Sequence, residues 1–201
     1  PGADLSMLYA VSGEGGLYPT NFDGPVGAEG LYPFSSPGSG WKKIAAGETV
    51  MLDMVFAYNG YHTDNARTFF MGAEVPERAR QAHQLCLDTL LYLEERLRPG
   101  THCAELFRET QGWVEAQGEP EGFMGFEDNR VKFFGHGVGL ELDEFPVLAD
   151  RVDLELAPGM VVAVEPKAFL SGVGPVGIEN TYLIGEDGCE SLCSSPREIV
   201  R

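Results

Sequence analysis

The chain is predicted to fold as a single α+β domain spanning residues 1–201. Two observations carry this expectation. Strand-like segments come first, two helix-like segments follow, and strand-like segments return, a block order unlike the alternation of βαβ units. An acidic signature also occurs twice: Gly47 leads six residues later to Asp53 in GETVMLD, and Gly159 leads by the same step to Glu165 in GMVVAVE. Each copy is followed by a second carboxylate with an asparagine behind it, Asp64-Asn65 and Glu179-Asn180. The repeat implies two related halves around one core, and 43% hydrophobic content in 201 residues is enough to fill such a core.

The first forty residues contain GEGGLYPTNFDGPVGAEG and PFSSPGSG and read as extended pieces joined by turns. TVMLDMVFA is then a buried-strand candidate, and Asn59-Gly60 is a hairpin turn signal before YHTDNARTFF returns as its partner. Across a two-residue turn, residues an odd distance apart share a face. Asp53 and Asp64, eleven apart, are therefore expected on one side of the hairpin. Pro76 opens a helix whose apolar positions Ala79, Ala82, Cys86, Leu90, Leu93 and Leu97 recur at helical spacing up to Pro99-Gly100. Thr101 is expected to cap a second helix running through Gln117. QGEPEGFMGFEDN reads as loop, and VKFFGHGVGLEL as a strand loosened by its glycines. ELAPG is a turn into VVAVE, and GPVGIENTYLIGEDG is a last strand closed by Glu186-Asp187-Gly188.

Composition excludes several classes of function. Fourteen Lys and Arg against 31 Asp and Glu give a net charge of -17, which repels nucleic-acid phosphates and anionic lipid, so neither is an expected partner. No apolar run approaches the roughly 20 residues needed to cross a bilayer. The four cysteines show no zinc-ligand spacing, and reduced thiols in the cytoplasm are expected. No P-loop pattern marks a nucleotide site. The chain starts at Pro1 rather than Met, so an upstream segment is expected.

Asp53, Asp64, Glu165 and Glu179 sit in or beside apolar runs, where unpaired charge is costly, and His136 lies between the two copies in FFGHGVGL. A bound cation removes that cost. An oxygen-rich set with one imidazole suits divalent Mn, Co, Zn or Fe. Four carboxylates and a histidine exceed the needs of one catalytic ion with an open position. Two divalent ions sharing carboxylates are expected, an arrangement that activates water and polarises a carbonyl.

In this order, MLDMVFAYNGYHTDNARTFFMG, FFGHGVGLELDEFP, GMVVAVEP and GIENTYLIGEDG resemble the four motifs of the pita-bread metallopeptidases, the family of methionine aminopeptidase, Xaa-Pro aminopeptidase and prolidase. The resemblance runs from about Asp23 to the C-terminus and implies a pita-bread fold with pseudo-two-fold halves, here without its upstream helices and N-terminal domain. It implies that Asp53 binds one ion, that Asp64 and Glu179 bridge both, and that His136 and Glu165 complete the other, with Glu165 as proton shuttle. The implied activity is cleavage of a peptide bond near a free N-terminus, as in Xaa-Pro aminopeptidases and dipeptidases. The same fold and metals acting on a small non-peptide amide, and a non-catalytic binding module, are the alternatives.

Three positions depart from the family pattern. GPVGAEGLYPF lacks the histidine that precedes the first hairpin, Asp143 stands where the prolidase-like branch has a substrate-facing histidine, and Gly177 replaces an arginine two residues before Glu179. Asp143, His62 and Lys167 are the candidate substrate-binding residues, Lys167 as a cation in place of the lost arginine. Without a covering helix pair the first sheet is expected to expose an apolar face, which a homodimer, a second chain or a longer native chain would cover.

Overall fold

The structure, a computed structural model, describes residues 6–18, 40–119 and 122–201. Most of the Gly- and Pro-rich run expected to be extended, and Pro120-Glu121 of the expected loop, lie outside these residues.

The first sheet is antiparallel, in the order β1 (Ser6–Ser12), β2 (Thr49–Tyr58), β3 (Tyr61–Phe70). Asn59 at φ 52 and Gly60 at φ 86 give the β2–β3 turn the left-handed backbone of a tight hairpin. Asp53 pairs with Ala66 and Val55 with Asp64, so the two aspartates do share a face. The opposite face exposes Leu8, Phe56, Tyr58 and Tyr61.

Helix α1 (Glu77–Glu94) follows Pro76 and buries Ala79, Ala82, Cys86, Leu90 and Leu93. It stops short of Pro99. The Thr101 hydroxyl donates to the Arg96 carbonyl at 2.8 Å, so it fastens the end of the first helix and does not cap the second. Helix α2 (Cys103–Gln117) starts behind His102 and ends at Gly118, whose φ of 82 is the usual left-handed helix stop. The expected loop contains a small hairpin of β4 (Gly125–Phe126) and β5 (Asn129–Arg130).

The helices pack on a five-stranded sheet made of β6 (Phe133–Gly137), β7 (Glu144–Ala149), β8 (Val161–Val164), β11 (Asn180–Ile184) and β12 (Cys189–Ser191), in the order β12-β11-β8-β6-β7. Cys86, Leu90, Leu106, Phe134, Val162 and Tyr182 belong to the resulting core, and the Tyr182 hydroxyl donates to Glu94 at 2.8 Å. Burial of these side chains in a close-packed layer is the main stabilising term.

The last expected strand is two. Its first part, β10 (Gly174–Gly177), pairs with β9 (Lys167–Leu170), while β11 joins the large sheet, and the chain changes partner at Ile178-Glu179. The same happens between β8 and β9 at Glu165-Pro166, where proline cannot donate to a ladder. The Glu165 N–H donates to the Phe134 carbonyl at 2.9 Å and the Glu179 N–H to the Ala66 carbonyl at 3.0 Å. Both glutamates thus stand at strand breaks, Glu165 tied to β6 within its own sheet and Glu179 to β3 across the junction of the halves.

Three side chains stitch that junction. Thr181 donates to the Asp64 carbonyl at 2.6 Å, and Thr68 donates to the Gly177 carbonyl at 2.8 Å. Arg67, buried, donates to the carbonyls of Ala66, Glu179 and Pro196 and to the Asn180 side chain. Among the described residues no helix is long and apolar enough to cross a membrane.

Candidate metal centre

Asp53, Asp64, His136, Glu165 and Glu179 are all buried. One ligand atom each from Asp64, His136 and Glu179 lies within 4.8 Å of the others, the spacing a single cation needs. His136 Nε2 is 3.4 Å from Glu165 Oε1 and 3.9 Å from Asp64 Oδ2. Oδ1 of Asp53 and Oδ1 of Asp64 are buried without a hydrogen-bond partner, which is costly for an acid unless a cation takes up the lone pairs.

Electrostatics agree. Burial, then the charges of Asp64 and Glu165, hold Asp53 well above the carboxylate range; burial, then Asp64, Glu165 and Asp53, do the same to Glu179. Burial and Glu165 raise Asp64 to about 6. Burial also acts to raise Glu165, but Lys167 and His136 overcome it and pull the group down. Crowded carboxylates that raise one another, with one imidazole among them, are the donor set of a hard or borderline dication. The residues present fit a divalent metal.

Glycines let the strands close on His136. A Cβ at Gly135 would fall 2.2 Å from the Ala163 carbonyl oxygen, and one at Gly137 would fall 2.6 Å from that of Phe145.

The three expected substrate residues have different surroundings. Lys167 is fully buried, its ammonium closed on Glu165 Oε2 and 5.8 Å from the centroid of the Phe133 ring. Asp143 is half-exposed, with Oδ1 3.2 Å from His136 Nδ1. His62 lies on the acid-bearing face of the hairpin, and its Nδ1 is 3.2 Å from the Gly139 carbonyl. Of the other histidines, His83 is packed on α1 and His102 pairs with Asp153 at 2.9 Å.

Tyr9 went unnoticed in the sequence. It pairs with Asp53 in the β1–β2 register, and burial, then Asp53 and Asp64, raise its hydroxyl. No local spacing announces it, because more than forty residues separate the two partners. A cavity of about 650 Å³ lies apart from the acids, between α2 and the β4–β5 hairpin, with Phe133 on its wall.

The model of metallopeptidase family M24 matches residues 7–186. The chain belongs to metallopeptidase family M24. Among relatives of this M24 chain, the Xaa-Pro dipeptidase of Pyrococcus furiosus is 31% identical over 159 residues, covering 79% of this chain and 43% of that protein. In structure, the Xaa-Pro dipeptidase from Bacillus anthracis superposes with a TM-score of 0.73 at 29% identity, over 96% of this chain and 48% of that one. An X-Pro aminopeptidase from Thermotoga maritima has a TM-score of 0.75 at 24% identity, over 96% and 48%. The fold is therefore the pita-bread fold expected from the motifs. The chain spans about half the length of the relatives it matches.

Proposed function

We propose that this M24 chain is the catalytic portion of a two-metal hydrolase that cleaves peptide bonds near a free N-terminus, with the preference of an Xaa-Pro dipeptidase or aminopeptidase. The observation that carries the reading is the buried set of five potential ligands in which Asp53 and Asp64 each keep an unpartnered oxygen. In this reading Asp53, Asp64 and Glu179 hold one ion, and Asp64, His136, Glu165 and Glu179 hold the other. Ions so held supply a Lewis acid and lower the pKa of a water toward neutrality. Glu165 would serve as the proton shuttle between a water and the leaving amine, and Lys167 keeps its second oxygen oriented. Asp143, His62 and Tyr9 line the approach to the acids.

Manganese suits a set of four carboxylates and one imidazole. The apolar stripe of Leu8, Phe56, Tyr58 and Tyr61 supports a homodimer, and free cysteines suit the cytoplasm. Sedimentation of the purified chain tests the dimer, and a monomer at micromolar concentration would remove it. For the activity, the experiment is hydrolysis of a dipeptide panel in manganese, with a chelator control. Chelator-sensitive cleavage of prolyl dipeptides is expected; no cleavage of any peptide by a metal-loaded chain would overturn the proposal.

A further inference from the structure

The two nitrogens of His136 face different surroundings. Nε2 looks into the acids, 3.4 Å from Glu165 Oε1 and 3.9 Å from Asp64 Oδ2. Nδ1 looks out of the cluster, 3.2 Å from Asp143 Oδ1 and 3.0 Å from the Gly137 carbonyl oxygen. When Nε2 gives its lone pair to a cation, the ring's one remaining proton is on Nδ1, where the Gly137 carbonyl accepts a hydrogen bond and the Asp143 carboxylate stands at ion-pair distance, able to accept as well.

Asp143 reaches this position from the surface: its side chain is 51% exposed, whereas that of His136 is 5% exposed. The turn that carries it is tied down. The Gly139 N–H donates to the Glu141 carbonyl and the Glu141 N–H to Glu144 Oε2, each at 3.0 Å. The His62 N–H donates to the Gly139 carbonyl at 2.8 Å, fastening the turn to the hairpin that bears Asp64. An ionised acceptor presented by such a turn can add a charge-assisted contact to the one the Gly137 carbonyl makes.

We propose that Asp143 is a positioning residue for His136, its carboxylate accepting from Nδ1–H so that Nε2 is aimed at the metal. This rests on the metal-centre reading above. A carboxylate behind a ligating histidine fixes its orientation and raises its basicity, and loss of such a partner typically weakens metal binding about 10- to 100-fold. It also gives the departure from the family motif a different meaning: the aspartate is turned to a ligand, so its charge is engaged before any substrate arrives.

The test uses Asp143→Ala and Asp143→Asn, a half-exposed position where neither change threatens folding. Zinc affinity is measured by chelator competition, and the Nδ1–H resonance of His136 is followed in the zinc-loaded protein. Asp143→Ala is expected to weaken zinc binding about 10- to 100-fold and to speed exchange of the Nδ1 proton. Asp143→Asn, which keeps an acceptor oxygen, is expected to recover most of both. In a His136→Ala background Asp143→Ala should cost nothing further. Wild-type affinity and an unchanged Nδ1–H signal in Asp143→Ala would overturn the proposal, as would an altered KM for cationic dipeptides with both of those readouts intact. A chain whose zinc binding depends on Asp143 but which cleaves no dipeptide leaves this inference standing and removes only the peptidase reading.

Discussion

Lys167 stands directly across the β9–β10 ladder from Gly177, and its buried ammonium closes on Glu165. A Cβ at 177 would fall 2.7 Å from the Met51 methyl and 3.0 Å from the Lys167 Cα, so the neighbouring strand has no room for a side chain here. The cation of this part of the site comes from β9.

Replacing Lys167 by Met is expected to have opposite effects on the metal-free and metal-loaded protein. Without metal, Glu165 becomes a buried charge stripped of its main partner, and stability should fall by about 3–5 kcal/mol. With metal, a positive charge that opposes a dication is gone, so manganese should raise the melting temperature of Lys167→Met more than that of the wild type. Thermal unfolding with and without manganese checks both; a metal-free variant as stable as wild type would refute the argument.

Asp64→Ala should reduce the occupancy of both ions, whereas Asp53→Ala should spare one. Asp64 lies between Val55 on its own sheet and the Thr181 hydroxyl of β11, and contributes to the three-residue cluster with His136 and Glu179. Activity of Asp64→Ala should drop by more than about 100-fold, the upper range of what loss of an outer partner alone causes. Elemental analysis showing two ions per chain in Asp64→Ala would contradict its role as a bridge.

The metal-free protein should lose stability as pH rises from 6.5 to 9. Burial alone would lower the pKa of His136, but its hydrogen bond and ion pair with Glu165, then Asp143, raise it to about 9. A raised histidine stabilises the fold fully below its unfolded pKa of ~6.5, and that contribution is lost as pH climbs through the folded value. Asp64, raised to about 6 by burial and Glu165, has the same sign at lower pH, where His83, lowered to about 4 by burial and Arg67, opposes it. Binding a metal requires the deprotonated ligands, so affinity should increase over the interval in which apo stability declines. Urea unfolding with chelator at pH 6.5 and 9, paired with manganese titrations, tests this; flat apo stability would count against it.

Arg67→Lys should destabilise nearly as much as Arg67→Ala. The guanidinium donates to Glu179 O at 2.6 Å, Asn180 Oδ1 at 2.7 Å and Pro196 O at 2.8 Å, a fork one ammonium cannot copy. Charged hydrogen bonds are worth roughly 1.5–3 kcal/mol each, so a loss of about 3 kcal/mol or more is expected by urea unfolding. A lysine variant within 1 kcal/mol of wild type, about the value of one ordinary hydrogen bond, would show that the fork is not what holds the C-terminal segment.

Short-range features were legible in the sequence because their geometry is local. The Asn59-Gly60 turn sets the register of β2 and β3, and the two-residue pleat then puts Asp53 and Asp64 on one face. Helical spacing of apolar residues located α1, and the repeated glycine-to-acid step, with the carboxylate-asparagine pair behind it, placed Glu165 and Glu179 in a second half. Where strands end was less visible: the breaks at Glu165-Pro166 and Ile178-Glu179 arise because each segment changes partner, which no single run of residues records. Only the assembled sheets put Tyr9 opposite Asp53, Lys167 against Glu165 and Asp143 behind His136. The chain alone named the acids that gather. Which groups surround them depends on long-range pairing and on glycine-permitted irregularities in β6 and β7, and those are settled only when the halves close on one another.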